Sequence, residues 1–381
     1  MDYYYRFLQF KAKLVRLTRY STYWYEYFLW RIYSMFRKNK PFPSKLKRVL
    51  IVNHGALGDV FTSLRVALTL IRDNKGIKID FLCGDSEMEK VRFIGPKINL
   101  RFVGLKSLNI IDYDEILLFS ASSEEYSKLI GGFTVGNEYS SIYSSLFSHH
   151  KSFIDKKIKP SIRNGHKVEQ EIRICQAAGL KIKMPLATFK NKKPNNERYA
   201  ILHPSGRNFS DIIKQGKIPA MGWPSERFAN IADYIIEKYK IDVFVTGEKN
   251  EKIITDKILE EVTNKEHITN LSGNLSIKGL MEVISRADIL ISVDTSAVHI
   301  AEFTGTPVIA LFGPTFPEEV GAYGNEDIQI NLFHKDKCIR DRQKGPSHDK
   351  QNICMGAITT KEVKSSIDRL LEKNITSRPL T

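Results

Sequence analysis

Three places in this 381-residue chain put side chains able to do chemistry where an apolar run gives way to a polar turn. Asp59 follows Gly55-Ala56-Leu57-Gly58, directly after the apolar run at 48–53. Glycines there let the backbone turn tightly beside a helix start, and a carboxylate at a strand end facing a cleft can take a proton as a general base. The plainer reading is a helix cap. Asp294-Thr295-Ser296-Ala297-Val298-His299 is the second cluster. A helix beginning at Thr295 offers backbone N–H groups and two hydroxyls to an anion, and His299, one turn in, projects near the same end. An ordinary capped helix with a packed histidine is the alternative. The third cluster, Leu311-Phe312-Gly313-Pro314-Thr315, is by itself a turn signal.

The elements that must position these residues are legible as alternating apolar runs and amphipathic stretches from residue 48 onward, an α/β pattern. Strands are expected at 48–53, 78–82, 101–103 and 115–119, with a helix over 59–73. The stretch 139–160, rich in Ser, Lys and His, reads as a surface loop, followed by a helix near 166–180. Polar, Pro-containing 190–196 reads as a linker. Strands then follow at 199–203, 242–246, 268–271, 288–293 and 307–312, alternating with helices at 223–239, 250–262, 276–286 and 295–303. A last helix is expected over 360–373, crossing back onto the N-terminal half. Two doubly wound halves result, whose ligands bind at the carboxyl ends of the strands, in the cleft between them.

Charge is distributed unevenly. Ten of the fifteen net positive charges fall in residues 1–48, and fourteen of the forty aromatic residues fall before residue 41. Basic and aromatic residues interleaved in this way suit a helix lying on an anionic membrane surface. Packing against the body and contact with nucleic acid are the other readings, and nucleic acid is set aside. Four cysteines without close pairs exclude a disulfide scaffold. No stretch is apolar and long enough to span a bilayer, and without a clean apolar core near the N-terminus no secretory signal is expected, so the reading is a cytoplasmic protein.

Taken in order, the three clusters resemble glycosyltransferase family 9, the heptosyltransferases of lipopolysaccharide inner-core assembly. The resemblance runs from about 48 to 373 and is strongest from Asn270-Leu271-Ser272-Gly273 through Asp294–His299 to Gly305–Thr315, with Trp223-Pro224-Ser225-Glu226-Arg227-Phe228 as separate support. It implies a GT-B enzyme of two Rossmann-like doubly wound domains facing a central cleft, behind an N-terminal basic aromatic helical extension. The expected parts are the extension at 1–47, an acceptor-binding domain at 48–190, a nucleotide-sugar-binding domain at 198–358, and a helix and tail at 359–381. It also implies inverting transfer of heptose from ADP-heptose, with no cofactor required and no metal in the site. By resemblance Asp59 is the general base, and Ser205, Glu248, Asp294, Thr295, Ser296 and His299 bind the donor. The expected partners are a nucleotide-sugar donor, an anionic lipid-linked saccharide acceptor and, through residues 1–48, the inner face of the cytoplasmic membrane. A different nucleotide-sugar, a protein acceptor, or a non-catalytic nucleotide-sugar-binding role are the alternatives.

Two departures from the family stand out. Ser296 replaces a usual Gly where backbone approaches phosphate, which raises the question of positive φ. Met221 stands where a Lys or Arg is usual, two residues before the Trp-Pro pair, and Arg207, Lys214 and Lys217 are candidate substitute cations for the diphosphate. His334, Cys338, His348 and Cys354 have donors suited to zinc but irregular spacing, and they read instead as a basic loop near the cleft.

Overall fold

The computed structural model describes residues 46–108, 113–120, 134–137, 156–158, 165–189, 197–206, 209–214, 219–337 and 353–376. Nearly all of the basic aromatic segment at 1–47, and the linker expected at 190–196, therefore lie outside the described residues.

The first half is built on β1 (Arg48–Asn53), β2 (Lys78–Leu82), β3 (Leu100–Phe102), β4 (Glu115–Ser120), β5 (Thr134–Asn137) and β6 (Lys156–Ile158). These pair in the order β3-β2-β1-β4-β5-β6, all parallel. Val49, Leu50, Ile51 and Val52 are fully buried because a central parallel strand is covered on both faces. Helix α1 (Leu57–Asp73) makes the crossover from β1 to β2, burying Val60, Phe61, Leu64, Ala67 and Leu70. Helices α2 (Asp85–Val91) and α3 (Lys167–Ala177) complete what the site uses from this half.

The second half repeats the plan with β7 (Tyr199–His203), β8 (Asp242–Val245), β9 (Ile268–Asn270), β10 (Ile289–Val293), β11 (Val308–Leu311) and β12 (Gln329–Leu332). Read from the other edge, the order is β9-β8-β7-β10-β11-β12, again parallel and again with the strand order reversing beside the first strand. Helices α4 (Ser225–Tyr239), α5 (Lys252–Glu261), α6 (Ile277–Arg286) and α7 (Ser296–Thr304) flank it, and α8 (Thr360–Thr376) closes the chain.

Three expectations are corrected. The stretch 139–160 is not loop throughout, because Lys156–Ile158 forms the edge strand β6 against β5. Helix α1 begins at Leu57, two residues early, so Asp59 sits inside the first turn. Helix α8 stays on the second half: Val363, Ile367, Leu370 and Leu371 share a core with Ile231 and Ile235 of α4, and Tyr234 donates to Asp368 at 2.6 Å. Its apolar stripe is used up there, leaving no face to bury on the first half.

The halves meet where α1 packs on α7. Phe303 is fully buried at the seam, edge-on to Phe61 at 5.7 Å and stacked on Phe189 at 5.6 Å. The Phe189 N–H donates to the Phe303 carbonyl at 2.6 Å. Burying one such ring is worth about 2–3 kcal/mol, so the seam is an apolar interface and not a solvent-filled gap.

Candidate active site

The carboxyl ends of β1 and β7 open onto one cleft of about 260 Å³. Ala56, Leu57, Gly58, Glu87 and Lys90 line it from the first half. His203, Gly206, Met221, Thr246, Gly247, Glu248, Asp294, Thr295 and Ser296 are among those lining it from the second. A larger depression of about 820 Å³ lies at the amino ends of β7 and β8, beside Tyr199, Asp242 and Arg286. Ligands of parallel α/β sheets sit at the opposite, carboxyl ends, at the point where strand order reverses, so the smaller cleft is the candidate site.

Two helix starts face each other across it. Ala56 caps α1 without a side-chain oxygen, and Asp59 reaches back to accept from the Ala56 N–H at 3.0 Å. That supplies half of a capping box and leaves the first turn of α1 without a side-chain cap. The other Asp59 oxygen is ion-paired with Lys167 at the start of α3. Opposite, Thr295 caps α7 by accepting from the Ala297 N–H at 3.3 Å, and its hydroxyl also touches Ser292 Oγ at 3.2 Å. A Cβ built on Gly58 would stand 3.5 Å from Ser296 Cα and 2.7 Å from His299 Cδ2. Glycine at 58 is therefore what allows α1 to lie this close to the start of α7. The partial positive charge of both helix starts converges on the cleft, the electrostatics of an anion site.

The titrating groups are arranged to match. Burial pushes the Asp294 carboxyl upward, against the Thr315 hydroxyl that donates to it at 2.6 Å. Burial alone would lower His299, but the Glu302 carboxylate at 2.7 Å from Nδ1, with Asp294 and Asp59 nearby, raises it overall and favours the imidazolium. Burial drops His203 to about 4, so it is a neutral ring at neutral pH, in contact with Thr246 Oγ1 at 2.9 Å. Beneath Asp59, burial lifts Glu171 to about 8. Ser63 donates to it at 2.7 Å, and Asn53 Nδ2 in turn donates to Ser63 Oγ at 2.5 Å.

Of the residues expected from sequence, Glu248, Asp294, Thr295 and Ser296 line the cleft, and Asp59 and His299 stand directly beside its lining residue Gly58. Ser205 is fully buried behind Gly247, with no partner for its hydroxyl among the described residues. Ser296 departs from the family without strain: the left-handed non-glycine residues among those described are Asn99 and Lys240. Lys214 does not join the site but sits exposed, 3.9 Å from Asp211. Arg207 and Lys217 lie outside the described residues. Met221 does line the cleft. His334 bonds Glu362 at 3.0 Å and Cys354 is buried, while Cys338 and His348 lie outside the described residues. Sequence reasoning missed His203, Glu87, Lys90, Lys167 and Glu302. His203 ends a strand and Glu302 follows His299 by three residues, so those two had a signal; Lys90 and Lys167 had none.

The profile of glycosyltransferase family 9 (heptosyltransferase) matches residues 128–351. The chain belongs to this family. Lipopolysaccharide core heptosyltransferase OpsX of Haemophilus influenzae is 30% identical over 115 residues, 30% of this family 9 chain and 32% of that protein. Lipopolysaccharide heptosyltransferase 3 of Escherichia coli is 21% identical over 227 residues, 58% of the chain and 64% of that protein. The chain thus spans about one third to two thirds of the length of these curated relatives. In fold it is similar to a family 9 glycosyltransferase of Veillonella parvula, with TM-score 0.66 at 17% identity, covering 86% of this chain and 98% of that one. Escherichia coli heptosyltransferase WaaC, solved with ADP-2-deoxy-2-fluoro heptose, aligns with TM-score 0.61 at 18% identity, covering 86% and 99%. The two parallel sheets of the family 9 chain are those of the GT-B heptosyltransferases.

Proposed function

We propose that this family 9 chain is an inverting glycosyltransferase that moves a heptose from ADP-heptose to a lipopolysaccharide inner-core or related saccharide. The observation that carries the reading is the convergence of two helix starts, one bearing Asp59 and the other Thr295, Ser296 and His299, on one cleft. Support comes also from OpsX, named as a heptosyltransferase, and from WaaC, solved with an ADP-heptose analogue.

On this reading the donor diphosphate lies at the start of α7, and the acceptor enters from the side of the first sheet. Asp59 takes the proton of the acceptor hydroxyl as its oxygen attacks the anomeric carbon from the face opposite the diphosphate. The bond from that carbon to the diphosphate oxygen breaks, and ADP leaves carrying the negative charge. The N–H groups of α7, the Thr295 hydroxyl and the His299 imidazolium stabilise that charge as it develops. Glu248, exposed at the cleft after β8, accepts from ribose or sugar hydroxyls.

The domain roles follow, with the acceptor on 48–190 and the donor on 198–358. Residues 1–48, carrying two thirds of the net positive charge, hold the enzyme to the inner face of the cytoplasmic membrane beside a lipid-linked acceptor. No helix among the described residues is long and apolar enough to cross a membrane. A chain lacking 1–48 that binds anionic vesicles as well as the full chain does would contradict this role.

Met221, an apolar side chain where the family usually has a cation, favours one second reading, a nucleotide-sugar other than ADP-heptose. Protection against heating by ADP-heptose, other ADP-sugars, UDP-sugars and GDP-sugars, measured in parallel, separates the two. Release of nucleoside diphosphate on adding acceptor then distinguishes an enzyme from a binder. Asp59→Ala is expected to abolish that release and to keep the thermal protection; full activity in the variant overturns Asp59 as the base.

A further inference from the structure

We propose that Glu302 is a positioning residue: it holds His299 with the Nε2 edge toward the cleft, and Arg65 of the opposite half, docked on the same carboxylate, tempers its pull on the ring.

The Glu302 carboxylate serves both halves at once. Glu302 Oε2 lies 2.7 Å from His299 Nδ1, one helical turn away on α7. Glu302 Oε1 accepts from Arg65 Nη1 at 3.1 Å and from the Tyr323 N–H at 2.8 Å. The same Arg65 nitrogen donates to the Tyr323 carbonyl at 2.7 Å. Arg65 stands on α1, and its side chain and that of Glu302 are only 3% and 4% exposed. Gly58, Thr62 and Arg65 follow one another at helical spacing, so one face of α1 presents all three to α7. Thr62 donates to the Gly58 carbonyl at 3.1 Å and touches His299 Nδ1 at 3.3 Å.

Nδ1 of His299 is thus fully engaged from below, and a carboxylate acceptor there demands that Nδ1 carry hydrogen. The Cδ2–Nε2 edge is left facing Gly58, a lining residue of the cleft, and Nε2 has no hydrogen-bond partner among the described residues. A protonated His299 then has Nδ1–H donating to Glu302 and Nε2–H available to a phosphate oxygen. Neutral His299 in the same orientation presents a bare Nε2 lone pair, which repels that oxygen. The charged groups around the ring favour the first state: Glu302 on its own helix, Asp294 at the end of β10 and Asp59 from α1, while Glu171 of α3, also facing the ring, stays protonated up to about 8. Arg65 and, from the turn before α3, His166 oppose it.

Closure of the cleft enters through Arg65. If the halves separate, Glu302 loses its buried guanidinium partner, and among the described residues the carboxylate keeps only His299 and the Tyr323 N–H. The charge on His299 is therefore coupled, through Glu302, to the docking of Arg65 from the opposite half.

The proposal takes His299 as the diphosphate-binding group from the reading above, but its test does not require turnover. In the full chain labelled with 15N-histidine, His299→Asn assigns the His299 signals. The wild-type protein at high pH is expected to show the neutral ring with hydrogen on Nδ1; hydrogen on Nε2 overturns the proposal without recourse to any Glu302 variant. Glu302→Gln is expected to lower the His299 titration midpoint by about one pH unit, and Arg65→Gln to raise it. An unchanged midpoint in a Glu302→Gln protein with native circular dichroism overturns it as well. In activity, the alkaline limb of kcat/KM is expected to move down with the midpoint in Glu302→Gln and to be absent from His299→Asn. A wild type that turns over no nucleotide-sugar sinks the functional reading and leaves the titration result standing.

Discussion

Lys167, the first residue of α3, is ion-paired with the carboxylate of Asp59 in the first turn of α1. The contact fixes the proposed base in orientation, one oxygen on Lys167 and the other on the Ala56 N–H. Replacing Lys167 by Met keeps the aliphatic stem and removes the cation, so Asp59 is held by a single hydrogen bond. A misplacement of the base by about 1 Å costs on the order of 10²-fold in rate. The expected outcome is a fall in kcat of about ten- to a hundredfold with donor-dependent thermal protection unchanged. A wild-type kcat in the variant would mean that Lys167 only tethers α3.

At Gly58, two effects of substitution have opposite sign. Alanine in a helix gains about 1 kcal/mol over glycine, yet its methyl would stand 2.7 Å from His299 Cδ2, and relieving such overpacking costs about 1–3 kcal/mol. Net stability is therefore expected to change little while the ring of His299 is pushed off its place. Gly58→Ala should lose at least tenfold in kcat/KM for the donor with a melting temperature within a few degrees of wild type. Unimpaired kcat/KM would show that the ring has room to move.

Met221 offers a gain-of-function test. A lysine in the same place would make a charge-assisted contact to a diphosphate, worth about 1.5–3 kcal/mol, against about 1–2 kcal/mol for ordering its side chain. Met221→Lys is therefore expected to lower KM for the donor by roughly fivefold, an effect that shrinks as salt rises. Initial rates against donor concentration at two ionic strengths check this. A higher KM would place the side chain away from the phosphates.

Glu171 links stability to pH. Its carboxyl stays protonated in the folded protein up to about 8 because it is buried, whereas in the unfolded chain it ionises near 4.5. Between these values the unfolded state binds fewer protons, so folding stability falls as pH rises from about 4.5 to about 8 and then levels off. At about 1.4 kcal/mol per pH unit between the two midpoints, the ceiling is a few kcal/mol. Glu171→Gln retains an acceptor for the Ser63 hydroxyl and cannot ionise. Thermal melts should show it gaining several degrees over wild type at pH 8.5 and little at pH 5; an equal difference at both pH values would contradict the assignment.

Much of the fold was written locally. The central strands at 48–53, 199–203 and 289–293 are dominated by apolar residues because each is buried on both faces, and the buried polar residues they carry, Asn53, His203 and Ser292, sit at or near their carboxyl ends. The strands that escaped notice, Thr134–Asn137, Lys156–Ile158 and Gln329–Leu332, lie at or next to sheet edges. Short and partly polar, they carry little of that signal. The orientation of the last helix escaped for a different reason. Its apolar stripe announces that it packs, and only the partner surface around Ile231 and Ile235 decides where.

The same division runs through the site. The sequence by itself determined the doubly wound halves, the helix start at Thr295, and the candidate roles of Asp59, Asp294 and His299, because strand ends, caps and motif spacing are properties of neighbouring residues. Only the tertiary structure decided that Lys167 meets Asp59, that Gly58 lies against His299, and that Arg65 reaches Glu302 across 237 positions of chain. Such pairings depend on how α1 seats against α7, and that seating is set by the packing of Phe61, Phe189 and Phe303 at the seam. No local pattern of charge or periodicity encodes which buried cation will find which buried carboxylate, since the desolvation that makes the pairing obligatory exists only once the seam has closed.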